Sequence, residues 1–458
     1  MLCCLLFCLL TGPVQAQVTI QGKAGDYVNK TVCLYAVRDG FAQLCAQVTV
    51  GNDKRFTLSA ELPAEGFYTL GNTKSVQHVL YLKGNEKLSV SFTNQALEIT
   101  RGNDTRENKL LQEWEKAASQ TRMNAWFFNF VGGVQSPGPD AFAEEITRLR
   151  NLSKQLEGKL GALRQKPFGK LMKLKMEADV AFFRLAYRRS HIGGVPENFI
   201  TREDLAQYDR IFRQAELLQL PLAPAMVGAY VDEKAEKVLP AIENPSMLSS
   251  AELKSRADLL ENKSLRELYI YQKASQLRYY ERYTELRETF RQERFSDLLE
   301  QQLRPVEEEL AWSKPGSAAP DFKGELPNGK WLSLSDLRGK VVVMDVWATW
   351  CTPCLRLIPD FKRLEKEISH PELAFMSVCI GASPEKDLWE KLVKKHELRG
   401  NVVFVEGWTR GFAKDYQVTG VPRFMIIDRE GKVWSFNAPS PKYPQLKQMI
   451  LQALEKKK

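Results

Sequence analysis

Nowhere do the 458 residues hold 18 consecutive apolar positions, so nothing in the chain reads as a membrane-spanning helix, which needs about 20. Glycine at 28 and proline at 22 are too few for a collagen-like or proline-rich chain. The low-apolar, highly charged mixture of disordered chains is missing too, since 44% of residues are hydrophobic, 26% charged and 10% aromatic. There is no internal repeat of solenoid period and no recognised nucleic-acid motif. What remains is a folded chain, and at roughly 100 to 200 residues per domain its length implies two to four domains.

The 65 Lys and Arg exceed the 56 Asp and Glu, a formal net charge of +9. The excess is concentrated: between Asn151 and Ile200 there are ten basic and four acidic residues. A surface for nucleic acid or acidic lipid is the sharper reading of that window. Its helical apolar spacing favours a solvated helix face instead, and no nucleic-acid partner is expected.

The first sixteen residues stand apart. An apolar run, Leu2 to Leu10, is followed by Thr11-Gly12-Pro13 and then by Val14-Gln15-Ala16, small residues placed for cleavage before Gln17. This is the pattern of a secretory signal peptide, residues 1–16, although no Lys or Arg precedes the run. Leu6-Phe7 before Cys8 lacks the small residues of a lipoprotein site. The mature protein is therefore expected to be soluble in an exported compartment, where disulfides persist. Removing the segment leaves Cys33, Cys45, Cys351, Cys354 and Cys379, an odd number, so at least one thiol is free or pairs between molecules.

From residue 17 to 102, short β-branched and aromatic runs such as Val18 to Gln21, Thr31 to Val37 and Val79 to Lys83 predict a small all-β domain. Arg38-Asp39-Gly40 is a hairpin signal, and a three-residue loop there would set Cys33 opposite Cys45. Opposed positions lie about 4.5 to 5.5 Å apart at Cβ, close to disulfide geometry, but two small buried thiols on the inner face are the preferred reading. From residue 103 to 312 the spacing turns helical, with Leu110, Leu111, Trp114 and Ala117 on one stripe. Glycine and proline breaks divide this all-α region into six or seven helices, the longest spanning Tyr269 to Leu303. Its tyrosines, Tyr269, Tyr271, Tyr279, Tyr280 and Tyr283, suggest a ligand cage, but amphipathic packing explains them better.

After the polar linker Ser313 to Ser317, strands and helices alternate, and residues 313–458 form a third, α/β domain. Val341 to Trp347 is nearly continuous in apolar residues, the mark of a parallel strand buried on both faces. It leads into Trp350-Cys351-Thr352-Pro353-Cys354, and Leu355 to Ile368 reads as a helix. A helix N-terminus offers unpaired N–H groups and a positive dipole end, which stabilise a thiolate, so Cys351 is expected to be an exposed nucleophile of low pKa. One turn on, Cys354 can attack a mixed disulfide on Cys351 and release the reduced substrate. Pro353 is tolerated where no donor is needed. A zinc site would need a second Cys or His pair at ligand spacing, and Cys379, His370 and His396 are scattered, so no metal is expected. Haem attachment fails because Leu355 follows Cys354.

Several motifs in this stretch carry a resemblance: Ala319-Pro320-Asp321-Phe322, Leu334-Ser335-Asp336-Leu337-Arg338-Gly339-Lys340, the Trp-Cys-x-x-Cys motif and Thr419-Gly420-Val421-Pro422. From Pro320 onward, about 140 residues, the chain resembles the thioredoxin-like thiol:disulfide oxidoreductases of the TlpA/ResA type, and the β-then-helical-then-thioredoxin order of the whole chain resembles exported multidomain proteins of Bacteroidetes. The resemblance implies a thioredoxin fold, a redox disulfide Cys351–Cys354, no cofactor, and a cis-proline at Pro422 facing the two cysteines. It also implies substrate contacts from Trp350 and from the backbone of Val421, with Asp428 and Gly431 closing the next hairpin. Asp345, six residues before Cys351, occupies the place of a buried acid that relays a proton to or from Cys354, its pKa raised by burial. Leu357 stands where many relatives carry a glutamate. Cys379 reads as a packing thiol, and His370 and His396 as surface residues.

The chemistry expected is exchange with protein disulfides or dithiols, in the reducing direction, with a membrane thiol as a possible electron donor and a Gram-negative periplasm or envelope as location. One alternative is a partner-binding envelope protein whose redox domain is secondary. Another is a peroxiredoxin-like peroxidase, which shares Pro320-Asp321-Phe322 but uses a lone peroxidatic cysteine. The triplets at Asn29, Asn103, Asn151 and Asn262 are read as chance occurrences rather than glycosylation sites.

Overall fold

The computed structural model describes residues 16–73, 76–93, 96–102, 105–126, 137–191, 194–240 and 249–456. Residues 1–15 of the expected signal segment, and Asn103 with Asp104 of its triplet, lie outside these residues. The chain divides into two compact units, Met1–Lys273 and Ala274–Lys458, and the layout along it is sheet-rich, then helical, then thioredoxin-like.

The first unit opens with eight strands: β1 (Ala16–Ala24), β2 (Thr31–Arg38), β3 (Phe41–Thr49), β4 (Arg55–Leu62), β5 (Gly66–Thr73), β6 (Val76–Leu82), β7 (Lys87–Phe92) and β8 (Leu97–Gly102). They form two four-stranded sheets, ordered β4-β1-β7-β8 and β3-β2-β5-β6. Alternate apolar residues of both sheets, among them Val18, Ile20, Leu34, Leu70 and Leu80, share one core.

The β2–β3 hairpin departs from the sequence expectation. Asp39 and Gly40 both take positive φ, 50° and 84°, and Arg38 pairs with Phe41, so the turn has two residues rather than three. A bulge then shifts the register between Leu34 and Tyr35, and Cys45 is the extra residue between Leu44 and Ala46. Cys33 faces Gln47 across the ladder, and both thiols are free. Nor do they share the inner face. Val32, Leu34 and Ala36 point into the core, so Cys33 is buried on the opposite side of the strand.

Among the described residues nine helices follow, not six or seven: α1 (Arg106–Trp126), α2 (Pro139–Leu160), α3 (Pro167–Ser190), α4 (Arg202–Phe212), α5 (Ala223–Val238), α6 (Ser250–Ala257), α7 (Lys263–Ala274), α8 (Tyr280–Thr289) and α9 (Asp297–Leu310). The single long helix expected over Tyr269 to Leu303 is three, although that stretch holds no glycine or proline. Side chains take the backbone donors at the two restarts: Ser313 Oγ accepts the Tyr280 N–H, and Ser296 caps α9 by accepting the Leu299 N–H. Periodicity carries no trace of such partners. The tyrosines of this stretch are held by partners within their own units, and Tyr280 and Tyr283 share Glu307. Tyr269 donates to Asp232, Tyr271 packs edge-on against Phe41, and Tyr280 donates to Glu307.

The basic window is less solvated than its composition suggests. Lys159 pairs with Glu113, Arg184 with Asp204, and Arg188 and Arg189 with Glu236, acids that all lie outside the window. Lys175 is buried within α3, 2.8 Å from Glu115 and 2.8 Å from Asp179, whose carboxylate also accepts the Trp114 indole N–H.

In the second unit α8 and α9 are joined to a seven-stranded mixed sheet. Its elements are β9 (Lys323–Glu325), β10 (Trp331–Ser333), β11 (Val341–Trp347), α10 (Thr352–Glu367), β12 (Leu373–Gly381), α11 (Lys386–Lys395), β13 (Asn401–Glu406), α12 (Gly411–Asp415), β14 (Arg423–Ile427), β15 (Val433–Ala438) and α13 (Pro444–Glu455). The order is β10-β9-β13-β12-β11-β14-β15, with β11 parallel to β12 and antiparallel to β14. All seven residues of β11 are buried. Val342, Met344 and Val346 face a core with Phe412, Tyr416 and Phe436, while Val341 and Val343 face α10 and α13 through Phe361, Leu364, Leu446 and Ile450. By the same alternation Asp345 lies on the α10 side.

Replacing Lys175 by methionine leaves Asp179 without its bonded cation in the helical core, while Glu115 keeps Arg122 at 2.9 Å, and breaking a buried pair in this way costs about 3–5 kcal/mol. The K175M variant is expected to unfold at a clearly lower urea midpoint than the parent protein, followed by loss of helical circular dichroism.

Candidate active site

The central strand β11 ends at Trp347, and the chain turns through Ala348 and Trp350 into α10. Cys351 is the N-cap of that helix, and its Sγ accepts the backbone N–H of Cys354 at 3.2 Å. Pro353 stands in the first turn, where its missing donor leaves nothing unpaired. Cys351 and Cys354 are joined as a disulfide, with Cα atoms 5.3 Å apart.

Cys351 is not the exposed residue expected: both cysteines are 2% accessible. They belong to an apolar cluster with Trp347, Ala348, Cys379 and Trp389, and Val421 packs against it. The N-cap geometry accounts for this, because it tucks Sγ back over the helix start. Exposure is carried instead by Trp350, which is 59% accessible and lies 5.7 Å, centroid to centroid, from Trp408. The Val421–Pro422 peptide bond is cis; Pro422 is exposed and Val421 half-buried.

Asp345 sits between Ser377 of β12 and Phe424 of β14. Burial alone pushes its carboxyl up from 3.8 to about 7. Ser377 accepts the Trp347 indole N–H at 2.8 Å and lines a cleft of about 350 Å³ together with Lys362, Glu365 and Arg399. Leu357 packs half-buried against the α10 core, leaving no carboxylate there. Cys379 is fully buried on β12, and burial, with Glu385 and Asp345 adding to it, pushes its thiol well up. His370 is exposed; His396 is half-buried, its pKa lowered by desolvation and by Lys395 and Lys362. Asp428 and Gly431 close the β14–β15 turn, where Asp428 accepts the Lys432 N–H and Gly431 takes φ 69°.

Three residues near the motif were not singled out from the sequence. Trp408 stacks near Trp350 from the loop after β13. Glu385 accepts the Thr349 hydroxyl at 3.3 Å. Arg423, directly after Pro422, is 6% exposed and lies 4.2 Å beneath the Tyr279 ring. A charged residue opening an otherwise apolar strand was the available cue for Arg423.

The C-terminal region is similar to known proteins. The Redoxin family model matches residues 314–450. A thioredoxin-like protein of Bacillus subtilis, YneN, is 31% identical over 136 residues, covering 30% of this chain and 78% of YneN. The thiol-disulfide oxidoreductase ResA of the same organism is 34% identical over 118 residues, 26% of this chain and 64% of ResA, just under two thirds of its length. Among solved structures, one described as a thiol-disulfide oxidoreductase from Bacteroides vulgatus is 35% identical, with a TM-score of 0.28, covering 30% of this chain and 88% of that one. Through its C-terminal region the chain belongs to the thioredoxin-like thiol-disulfide oxidoreductases, a family of oxidoreductase enzymes.

The Asp345 carboxyl gives a pH signature. Its folded-state pKa of about 7 lies above the ordinary 3.8, so between these values the folded protein holds a proton that the unfolded chain has released. Stability is expected to fall as pH rises through that window and to level off above it. In D345N this contribution disappears, and at pH 8 relief of the buried charge amounts to at most about 4 kcal/mol. Denaturation midpoints of the oxidised protein and of D345N from pH 4 to 8 measure the difference; parallel curves would refute the titration.

Proposed function

We propose that the protein is an exported thiol:disulfide oxidoreductase that reduces protein disulfides through Cys351 and Cys354. The observation that carries this is the disulfide at the start of α10, with Val421 packed against it and Trp350 exposed beside it. In the reduced enzyme the N–H groups of the α10 start stabilise a Cys351 thiolate. That thiolate attacks one sulfur of a client disulfide; the S–S bond breaks, a mixed disulfide forms, and one client thiolate leaves. Cys354, deprotonated by Asp345 acting as base, attacks Cys351 Sγ and expels the second client thiolate. The enzyme ends oxidised and the client reduced by two electrons; the Cys354 proton, taken up by Asp345, passes to one client thiolate, and the other is protonated from solvent according to pH. A base working near neutrality suits a carboxyl at about 7. Trp350 and the Val421 backbone hold the client chain.

Export rests on the apolar run Leu2 to Leu10 and the small residues after it. No helix among the described residues is long and apolar enough to cross a membrane. The setting we favour is a bacterial periplasm or envelope, with a thiol donor in the membrane returning the pair to the dithiol.

Two measurements test the assignment. Cys351→Ser is expected to abolish reduction of insulin disulfides, and Cys354→Ser to accumulate a mixed disulfide resolved by non-reducing electrophoresis; full activity in Cys351→Ser would remove the nucleophile. Equilibration with a dithiothreitol redox series is expected to place the pair near the thioredoxin value of about −270 mV, whereas a value near −120 mV would make the protein an oxidant of its clients.

A further inference from the structure

The segment that enters the thioredoxin-like sheet does more than tether it. Between α7 and α8, Arg278 donates from Nη1 to the Thr419 hydroxyl at 2.5 Å, two residues before Val421. The next residue, Tyr279, lays its ring 4.2 Å from the Arg423 guanidinium, on the other side of Pro422. Glu281, at the start of α8, accepts the Ser435 hydroxyl at 3.1 Å and the Phe436 N–H at 3.2 Å on β15. Trp312 completes the contact, its ring 4.8 Å from Phe436.

Arg423 is the centre of this arrangement. Its Nε donates to the Phe436 carbonyl at 3.1 Å, and its Nη1 reaches the carbonyls of Tyr416 and Gln417 at 3.3 Å each, so one side chain ties the residues before the loop to the strand beyond it. Its Nη2 is buried without a hydrogen-bond partner. A cation so poorly solvated depends on the aromatic face above it, and a desolvated pair of this kind contributes more than an exposed one. Burial draws its pKa down to about 10. Arg278, by contrast, is exposed. One of its N–H groups goes to Thr419, which leaves the remainder of a planar five-donor fork at the loop edge, a geometry suited to a carboxylate.

We propose that residues 278–281 form part of the client-binding surface: Tyr279 positions the Val421–Pro422 loop through Arg423, and Arg278 selects clients whose reactive cysteine is flanked by acidic side chains. The inference deepens the exchange reading of Cys351 and Cys354 and rests on it for the identity of the client.

The test uses the full chain and two synthetic peptides, one with Asp and one with Lys on either side of the reactive position. Non-covalent binding is measured on versions carrying serine for cysteine, and reduction on versions joined through a disulfide. The wild-type protein is expected to bind the acidic peptide about fivefold more tightly, a preference that shrinks as salt is raised, and Arg278→Glu is expected to reverse it. Tyr279→Ala is expected to raise KM for the acidic disulfide severalfold with a much smaller change in kcat, and Tyr279→Phe, which keeps the ring, to restore it. An unchanged peptide ratio in Arg278→Glu, together with an unaltered KM in Tyr279→Ala, would overturn the proposal. Peptide preference without any disulfide reduction would uphold the surface and overturn the exchange reading, so the two failures are separate.

Discussion

The second unit depends on the burial of one strand. Because β11 is hydrogen-bonded on both edges and covered on both faces, its seven residues divide between two cores, and its C-terminal end is held in place by both. That end launches α10. The helix start, with its unpaired N–H groups, is therefore delivered to a fixed point at the sheet edge, and Cys351 sits on it as cap. The same burial has an electrostatic side. A carboxyl placed in the strand has no route to water along it, so its charged form is disfavoured and Asp345 becomes a group that changes protonation near neutral pH. Nucleophile placement and proton handling thus follow from a single packing constraint.

How much of this was legible in the sequence differs from element to element. The run Val341 to Trp347 gives the strand and its double-sided burial without help, because a buried parallel strand needs apolar residues at every position rather than at alternate ones. The Cys351-x-x-Cys354 spacing gives the junction. The hairpin at Asp39-Gly40 was legible as a turn but not in length, and one residue of turn together with one residue of bulge moved Cys33 from Cys45 to Gln47. Local composition does not encode a bulge, since the extra residue is chosen by packing along the whole ladder. The helix breaks between Tyr269 and Leu303 escaped notice because Ser313 and Ser296, not glycine or proline, capture the donors there. The contact between Arg423 and Tyr279 was not legible, although Tyr279 was among the tyrosines noted: the two are distant in sequence, and what joins them is geometry.

The buried charges of the two units illustrate two ways of keeping ions out of water. In the helical region Lys175 is compensated by carboxylates on two helices, so each member depends on the others. Beside the active site Arg423 is held by carbonyls and a ring, with no carboxylate among the described residues bonded to it. The first arrangement fixes helices against each other; the second fixes a loop and leaves its outer surface free of ion pairs with that cation.

The change of texture at Ser313 and the change of packing at Ala274 are not the same boundary. A fragment beginning at the polar linker would contain every strand of the sheet and both cysteines, yet it would carry a bare guanidinium beneath its Val421–Pro422 loop and an uncovered Phe436. Its smallest self-sufficient form is set by what must be shielded from water, and that requirement reaches back through two helices that composition assigns to another region.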